Sequence, residues 1–284
     1  MDNNGLQTKD QTTDVAVASL FDGRTGFEGV DSECTYIPYL KLAQDATDER
    51  KKQSPKYING LDSGMFFCQA TRKVYGESFL AVILRFYRAY SVYDGTGTDS
   101  KFIGSMDTTD FDRNVKHKCR KERSYMVDDK GRRYVDTRNF LVLAYDHMED
   151  GPMLFSLSST GITPSRKLIS LAMNVKAKKD GKIVTAPLWS SVWKLTPSYF
   201  DNPQGSYFQV GSVERMGWVD KEYAEGIVSL FNQAQATDMS SVAQETEAYH
   251  DSEPAPAEAP VTQQKITPVE MAKKVFGGEE QEIF

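Results

Sequence analysis

FLAVILRFYRAYSVY, residues 79–93, is the stretch on which the fold turns. It is dense in β-branched and aromatic residues and holds no Gly or Pro, so it reads as one long strand. Working outward, NFLVLAY (139–145) and MLFSL (153–157) are two further strands. A helix is expected from Thr163 to about Val175, with Thr163 as N-cap and Pro164 at the first helical position. Leu168, Leu171, Ala172 and Val175 then share one face. Residues 182–195 and 206–213 read as a fourth and a fifth strand, and 220–233 as a closing helix with Tyr223, Ile227, Leu230 and Phe231 on its apolar face. Three strands, a helix and two strands is the element order of the OB-fold, a five-stranded Greek-key barrel, so a mainly β, OB-fold-like body is expected. Two short strands, 37–42 and 65–70, precede it.

Charge divides the chain into parts. Residues 1–33 carry 7 acids and 2 bases, and 238–284 carry 10 acids and 3 bases. The middle, 34–237, holds 23 acids and 29 bases, so a net charge of -6 conceals a mildly basic domain between acidic ends. Residues 1–33 are expected to be a poorly ordered arm. Residues 238–264, rich in Ala, Pro, Glu, Thr and Ser, read as a flexible linker. In 265–284, Thr267-Pro268-Val269-Glu270 makes a capping box for a short amphipathic helix, stopped by Gly277-Gly278. The chain then ends in an acidic, apolar tip, Glu279, Glu280, Gln281, Glu282, Ile283 and Phe284, which suits presentation to a partner. No run of 18 or more apolar residues and no secretory signal is present, so no membrane contact is expected. Three widely spaced cysteines, Cys34, Cys68 and Cys119, fit a reducing cytoplasm without a disulfide frame.

The connection 94–136, between the first two barrel strands, is unusually long, and such loops tend to be functional or disordered. It carries Arg113, Lys116, Lys118, Arg120, Lys121, Arg123, Lys130, Arg132 and Arg133, with Tyr125 and Tyr134 among them. The other connection that OB-folds use to grip oligonucleotides, 196–205, holds Tyr199 and Phe200. Cations to neutralise phosphates and flat rings to stack on bases are what a single strand demands. The first strand supplies both in Arg85, Tyr87, Arg88 and Tyr90. Alternation places Arg85 and Tyr87 opposite Phe86, Arg88 and Tyr90, so one groove takes all four only if a bulge flips the register. Phe86 is expected in the core row of Leu80, Val82 and Leu84. A basic run is equally the signature of a solvated face, and Trp189 and Trp193, four apart on the expected fourth strand, read as core.

Enzyme motifs are thin. Asp107, Asp110 and Asp112 form a carboxylate cluster of the kind that holds Mg²⁺ in nucleases, which keeps a metal-dependent nuclease as the alternative. His117 and Cys119 make only half a zinc site. No phosphate-binding Gly-rich loop and no nucleophile elbow occur, so no cofactor and no enzymatic activity are expected.

The chain resembles phage-encoded single-stranded DNA-binding proteins. The plan is alike: an OB-like body, an acidic linker and an acidic tip ending in Phe. Glu279, Glu280, Glu282, Ile283 and Phe284 match that tip in character, without the penultimate proline of the bacterial proteins. Ile37-Pro38-Tyr39-Leu40-Lys41-Leu42-Ala43-Gln44, Gly60 and Gly64-Met65-Phe66-Phe67 resemble the opening of a group of DNA-binding phage proteins. The resemblance implies sequence-independent coating of single-stranded DNA in replication, recombination and repair, in the host cytoplasm. Polymerase, helicase or nuclease partners would be recruited through the tail. A phage structural or assembly protein is a further alternative, and the number of protomers is left open.

Overall fold

A computed structural model of the chain describes residues 37–95, 100–122, 124–202 and 205–236. The expected arm, linker, capped helix and acidic tip lie outside these. The long strand forms as expected: β4 (Phe79–Asp94) pairs along its length with β8 (Arg133–Ala144). Its other edge has two neighbours in turn. Phe79–Val82 pair with β12 (Ser191–Asn202), and Ala89–Asp94 pair with β5 (Lys101–Asp107). β8 divides likewise, pairing β7 (Tyr125–Val127) near its start and β9 (Met153–Ser158) further on. β6 (Arg120–Glu122) pairs with β7, and β13 (Gly205–Trp218) pairs with β12. The result is a curled antiparallel half-barrel.

At the centre of this sheet both faces are buried. On one, Phe79, Ala81, Ile83, Phe140, Val142 and Trp193 pack with Leu168 and Ala172 of α2, the helix Ile162–Asn174. On the other, Val82, Leu84, Leu141, Leu143 and Val192 pack with Ile227 and Ala234 of α3, the helix Lys221–Ala236. A fully buried side chain of this kind contributes about 1.5–3 kcal/mol. The first core also takes in Leu40 of β1 (Leu40–Leu42) and Phe66 of β2 (Phe66–Cys68). β2 lies between β1 and β3 (Lys73–Gly76) in a separate small sheet.

The five expected strands run β9-β8-β4-β12-β13, every neighbour antiparallel. Among the described residues no ladder joins β9 to β13. The segment around β1 stands between them. Leu154 in β9 donates its N–H to the Pro38 carbonyl at 2.8 Å. On the far side Gln44 mimics a strand: its Nε2 donates to the Phe208 carbonyl in β13 at 2.9 Å, and its Oε1 accepts from the Phe208 N–H at 2.8 Å.

Several local expectations are corrected. The expected fourth strand, 182–195, is two elements. An Asp180-Gly181 turn with positive φ at both residues folds β10 (Lys176–Lys179) against β11 (Lys182–Thr185) as a separate hairpin. Pro187 and a 3-10 turn (Leu188–Ser190) intervene before β12. Trp189 therefore leaves the strand and packs in the second core, whereas Trp193 packs in the first. Helix α2 is capped two residues early, by Gly161 with no side-chain cap, so Thr163 sits inside the first turn. Leu171 is exposed, and Ser165 is buried instead. The connection 94–136 is largely regular structure: β5, the helix α1 (Thr108–Asn114), β6 and β7. Phe111 of α1, fully buried against Tyr90 and Tyr134, gives that region a small core of its own.

Candidate nucleic-acid interface

β12 and β13 continue past the body as a two-stranded arm. A bulge at Thr196/Pro197 marks the departure, a place where the proline's missing N–H is tolerated. Tyr199 lies opposite Phe208 and Phe200 opposite Tyr207, which puts one aromatic pair on each face of the arm. Tyr199 meets the Phe208 ring edge-on at 5.2 Å, and Phe200 stacks with Tyr207 at 6.0 Å. Tyr199 is 54 % exposed and Phe200 36 %, so both present ring surface to solvent. Phe208 instead rests on Gly64, whose φ is +79° and where a Cβ would stand 2.7 Å from the ring. Glycine is required there for both reasons.

A second arm faces the first across a cleft of about 490 Å³. Tyr93 and Phe102 line it from β4 and β5, and Phe208, Gln209 and Val210 from β13. Its floor is Lys41, Leu42 and Gln44 beside Ser156, Ser158 and Thr160. The Arg133 guanidinium lies 4.6 Å from the Tyr93 ring centre and 5.5 Å from that of Tyr125, and donates to the Ser100 hydroxyl at 3.0 Å. Rings, hydroxyls and Lys41 thus line the cleft, with Arg133 packed against the Tyr93 ring that forms part of its wall.

The four residues expected from β4 do not meet there. A bulge does occur, between Ile83 and Arg85, but the register is continuous from Arg85 to Tyr93. Arg85 and Tyr87 therefore remain on the opposite face from Arg88 and Tyr90. The same bulge moves Phe86 to the row of Phe79, Ala81 and Ile83, away from Leu80, Val82 and Leu84. Arg85 donates to the Ala234 carbonyl near the end of α3, and Tyr87 packs against the second core. Arg88 grips both oxygens of Asp136 at 2.8 and 2.9 Å, a bond that raises its own pKa. Tyr90, 9 % exposed, stacks on Phe111 at 3.8 Å.

Tyr134 is 1 % exposed. Burial, then its hydrogen bond to Asp128, pushes its hydroxyl up to about 12. Asp128 organises the β7–β8 turn: it accepts from the backbone N–H groups of Lys130 and Arg132, from the Arg132 guanidinium at 2.7 Å and from Tyr134 at 3.1 Å. Burial alone would raise this carboxyl, but those bonds hold it below the usual range. Tyr90 and Tyr134 thus offer no open ring face to a base, and Arg132 is engaged at the turn. The sequence placed rings in this region without showing which would be sealed under α1.

The rest of the basic run is a surface. Lys118 and Lys121 are exposed, Lys116 pairs with Asp112 at 2.9 Å, and Arg120 pairs with Glu122 at 2.8 Å. Tyr125 is half-buried, its hydroxyl donating to Glu122 at 3.4 Å. Arg123 and the tip residues 279–284 lie outside the described residues. Tyr93, Phe102, Phe208 and Lys41, which line the cleft, are not among the binding residues expected from the sequence. The ring at the end of the opening stretch and the apolar Phe102-Ile103 pair were the available signals.

Asp107 caps α1, accepting the Thr109 N–H at 2.7 Å, and that bond lowers its pKa. With Asp112 turned to Lys116, the expected carboxylate cluster is dispersed. Among the described residues no three His, Cys, Asp or Glu side chains are grouped to hold a metal ion. No described helix is long and apolar enough to cross a membrane.

Comparison with curated proteins and with solved structures gave no significant match. A family model does match, over residues 7–246. The chain belongs to the Pam3 phage gp34-like protein family.

Proposed function

We propose that this phage protein binds single-stranded DNA without reading sequence and without catalysis. On this reading β9-β8-β4-β12-β13 form an OB-like body, with the β1 segment standing between its third and fifth strands. The observation that carries the proposal is the cleft between the two arms, walled by Tyr93, Phe102 and Phe208, with exposed Tyr199 and Phe200 on one arm and half-buried Arg133 against Tyr93 on the other. Rings accept bases by stacking regardless of identity, and the surrounding cations neutralise phosphates. The acidic tip, Glu279 to Phe284, would recruit replication or recombination proteins in the host cytoplasm.

Titration of the full chain with oligo-dT at two salt concentrations tests this. The expected result is tight binding, quenching of Tyr and Trp fluorescence, and a log–log salt slope of about -0.7 per phosphate neutralised. Deleting 279–284 should leave or raise oligo-dT affinity. Absence of binding would turn the assignment to a phage structural or assembly role, and Mg²⁺-dependent cleavage would restore the nuclease.

A further inference from the structure

The hairpin β10–β11 is a two-stranded ribbon outside the main sheet. Isolated ribbons are marginal in water, and this one has specific supports. The Asp180-Gly181 pair, with φ of 50° and 78°, is the turn that matches the twist of a two-residue hairpin. At the base, Ala186 donates to the Val175 carbonyl at 2.9 Å. Lys176 bridges the Thr185 hydroxyl and the Met173 carbonyl at 2.9 and 3.1 Å. The segment 176–185 carries four lysines and one aspartate. Among the described residues no carboxylate pairs with Lys178, Lys179 or Lys182.

Alternation distributes these charges. Lys176 and Lys178 lie on one face with Ile183, their cross-strand neighbour at Lys178, while Lys179 and Lys182 face each other on the opposite side. A membrane surface or an acidic protein patch would require cations on one face only. Cations on both faces suit a slot with two anionic walls. The major groove of duplex DNA is such a slot, about 12 Å wide and able to admit a two-stranded ribbon. Four residues per strand at about 3.3 Å each give an arm of about 13 Å, long enough to cross it. Ile183, 78 % exposed and opposite Lys178 next to the turn, is unusual on so polar an element.

We propose that the β10–β11 hairpin is a second nucleic-acid contact that enters a groove of duplex DNA. Lys178, Lys179 and Lys182 contact the phosphate walls and Ile183 packs on the bases. This builds on the single-strand reading by giving the protein a grip on the paired side of a junction. It does not require that reading to hold.

The test compares full-length protein with Lys178→Ala/Lys179→Ala/Lys182→Ala on two probes, a short blunt DNA duplex and oligo-dT. Wild type should bind the duplex, and the triple variant should reduce the steepness of its salt slope by about 0.9 per lysine. Oligo-dT affinity should change less than about twofold, and the Tm should hold because the substituted side chains are exposed. Ile183→Ser should weaken duplex binding about tenfold, the worth of partly burying one such side chain, with the slope intact. An unchanged duplex slope in the triple variant would overturn the proposal. So would wild type that ignores the duplex, or a parallel loss on both probes, which would assign the hairpin to the single-strand path. Unchanged affinity in Ile183→Ser would remove the base contact. Duplex binding that depends on the lysines, without oligo-dT binding, would sustain the hairpin and remove the single-strand function.

Discussion

Replacing Gln44 with alanine tests the join between the β1 segment and the aromatic arm. The wild-type side chain satisfies both the N–H and the carbonyl of Phe208, at 2.8 and 2.9 Å. Gln44→Ala removes both bonds and leaves two backbone groups of β13 without their partners. A hydrogen bond contributes about 0.5–1.5 kcal/mol net, and Phe208 is half-buried, so water replaces part of the loss. The expected destabilisation is about 2 kcal/mol. For a domain of this size that lowers Tm by about 4–8 °C. The local signature is sharper. Hydrogen exchange at the Phe208 amide should accelerate about thirtyfold, since about 1.4 kcal/mol corresponds to a factor of ten. Gln44→Glu should be no better, because its carboxylate would face the Phe208 carbonyl. Wild-type exchange at Phe208 in Gln44→Ala would refute the bridging role and, with it, the account of how the cleft is held.

Exposed and sealed rings should separate cleanly. Tyr199→Ala or Phe200→Ala should weaken oligo-dT binding by about 1–3 kcal/mol per lost stack while leaving Tm near wild type, measured by fluorescence titration and thermal unfolding. Tyr134→Ala should instead cost about 3–5 kcal/mol of stability, visible as a large fall in Tm. Asp128 titrates lower when folded than when unfolded. Its stabilisation is complete above the unfolded value of about 3.9 and is lost as pH falls from there through the lower folded value. Urea midpoints from pH 5 to pH 3 should therefore fall more steeply for wild type than for Asp128→Asn, and equal slopes would show that the turn does not depend on this carboxylate.

Residues 79–93 were legible because composition and length alone select a strand, and burial of the following strands and of α2 follows from their apolar spacing. What could not be read was where the pairing shifts. The extra residue at Leu84 has no mark in the sequence, yet it decides which row Phe86 joins. The break at 186–187 is marked in the sequence by Pro187, which cannot donate to a ladder, although Ile183, Val184, Val192 and Trp193 on either side of it are all strand-forming residues. Lys176 to Lys182 was the harder case, since a charged hairpin outside the core leaves no apolar period to detect.

The amino-acid sequence by itself determined the central strands, their two-sided apolar character and the separation of a basic body from acidic ends, because these depend on residue type and on neighbours a few positions away. Only the tertiary structure decided which aromatic rings face solvent. Tyr90 and Tyr199 are equally plausible stacking residues in the sequence. One is sealed by Phe111, which arrives from 21 residues further along the chain, and the other stands on an arm that nothing described covers. Exposure is a property of what packs against a side chain, and local composition does not contain that information.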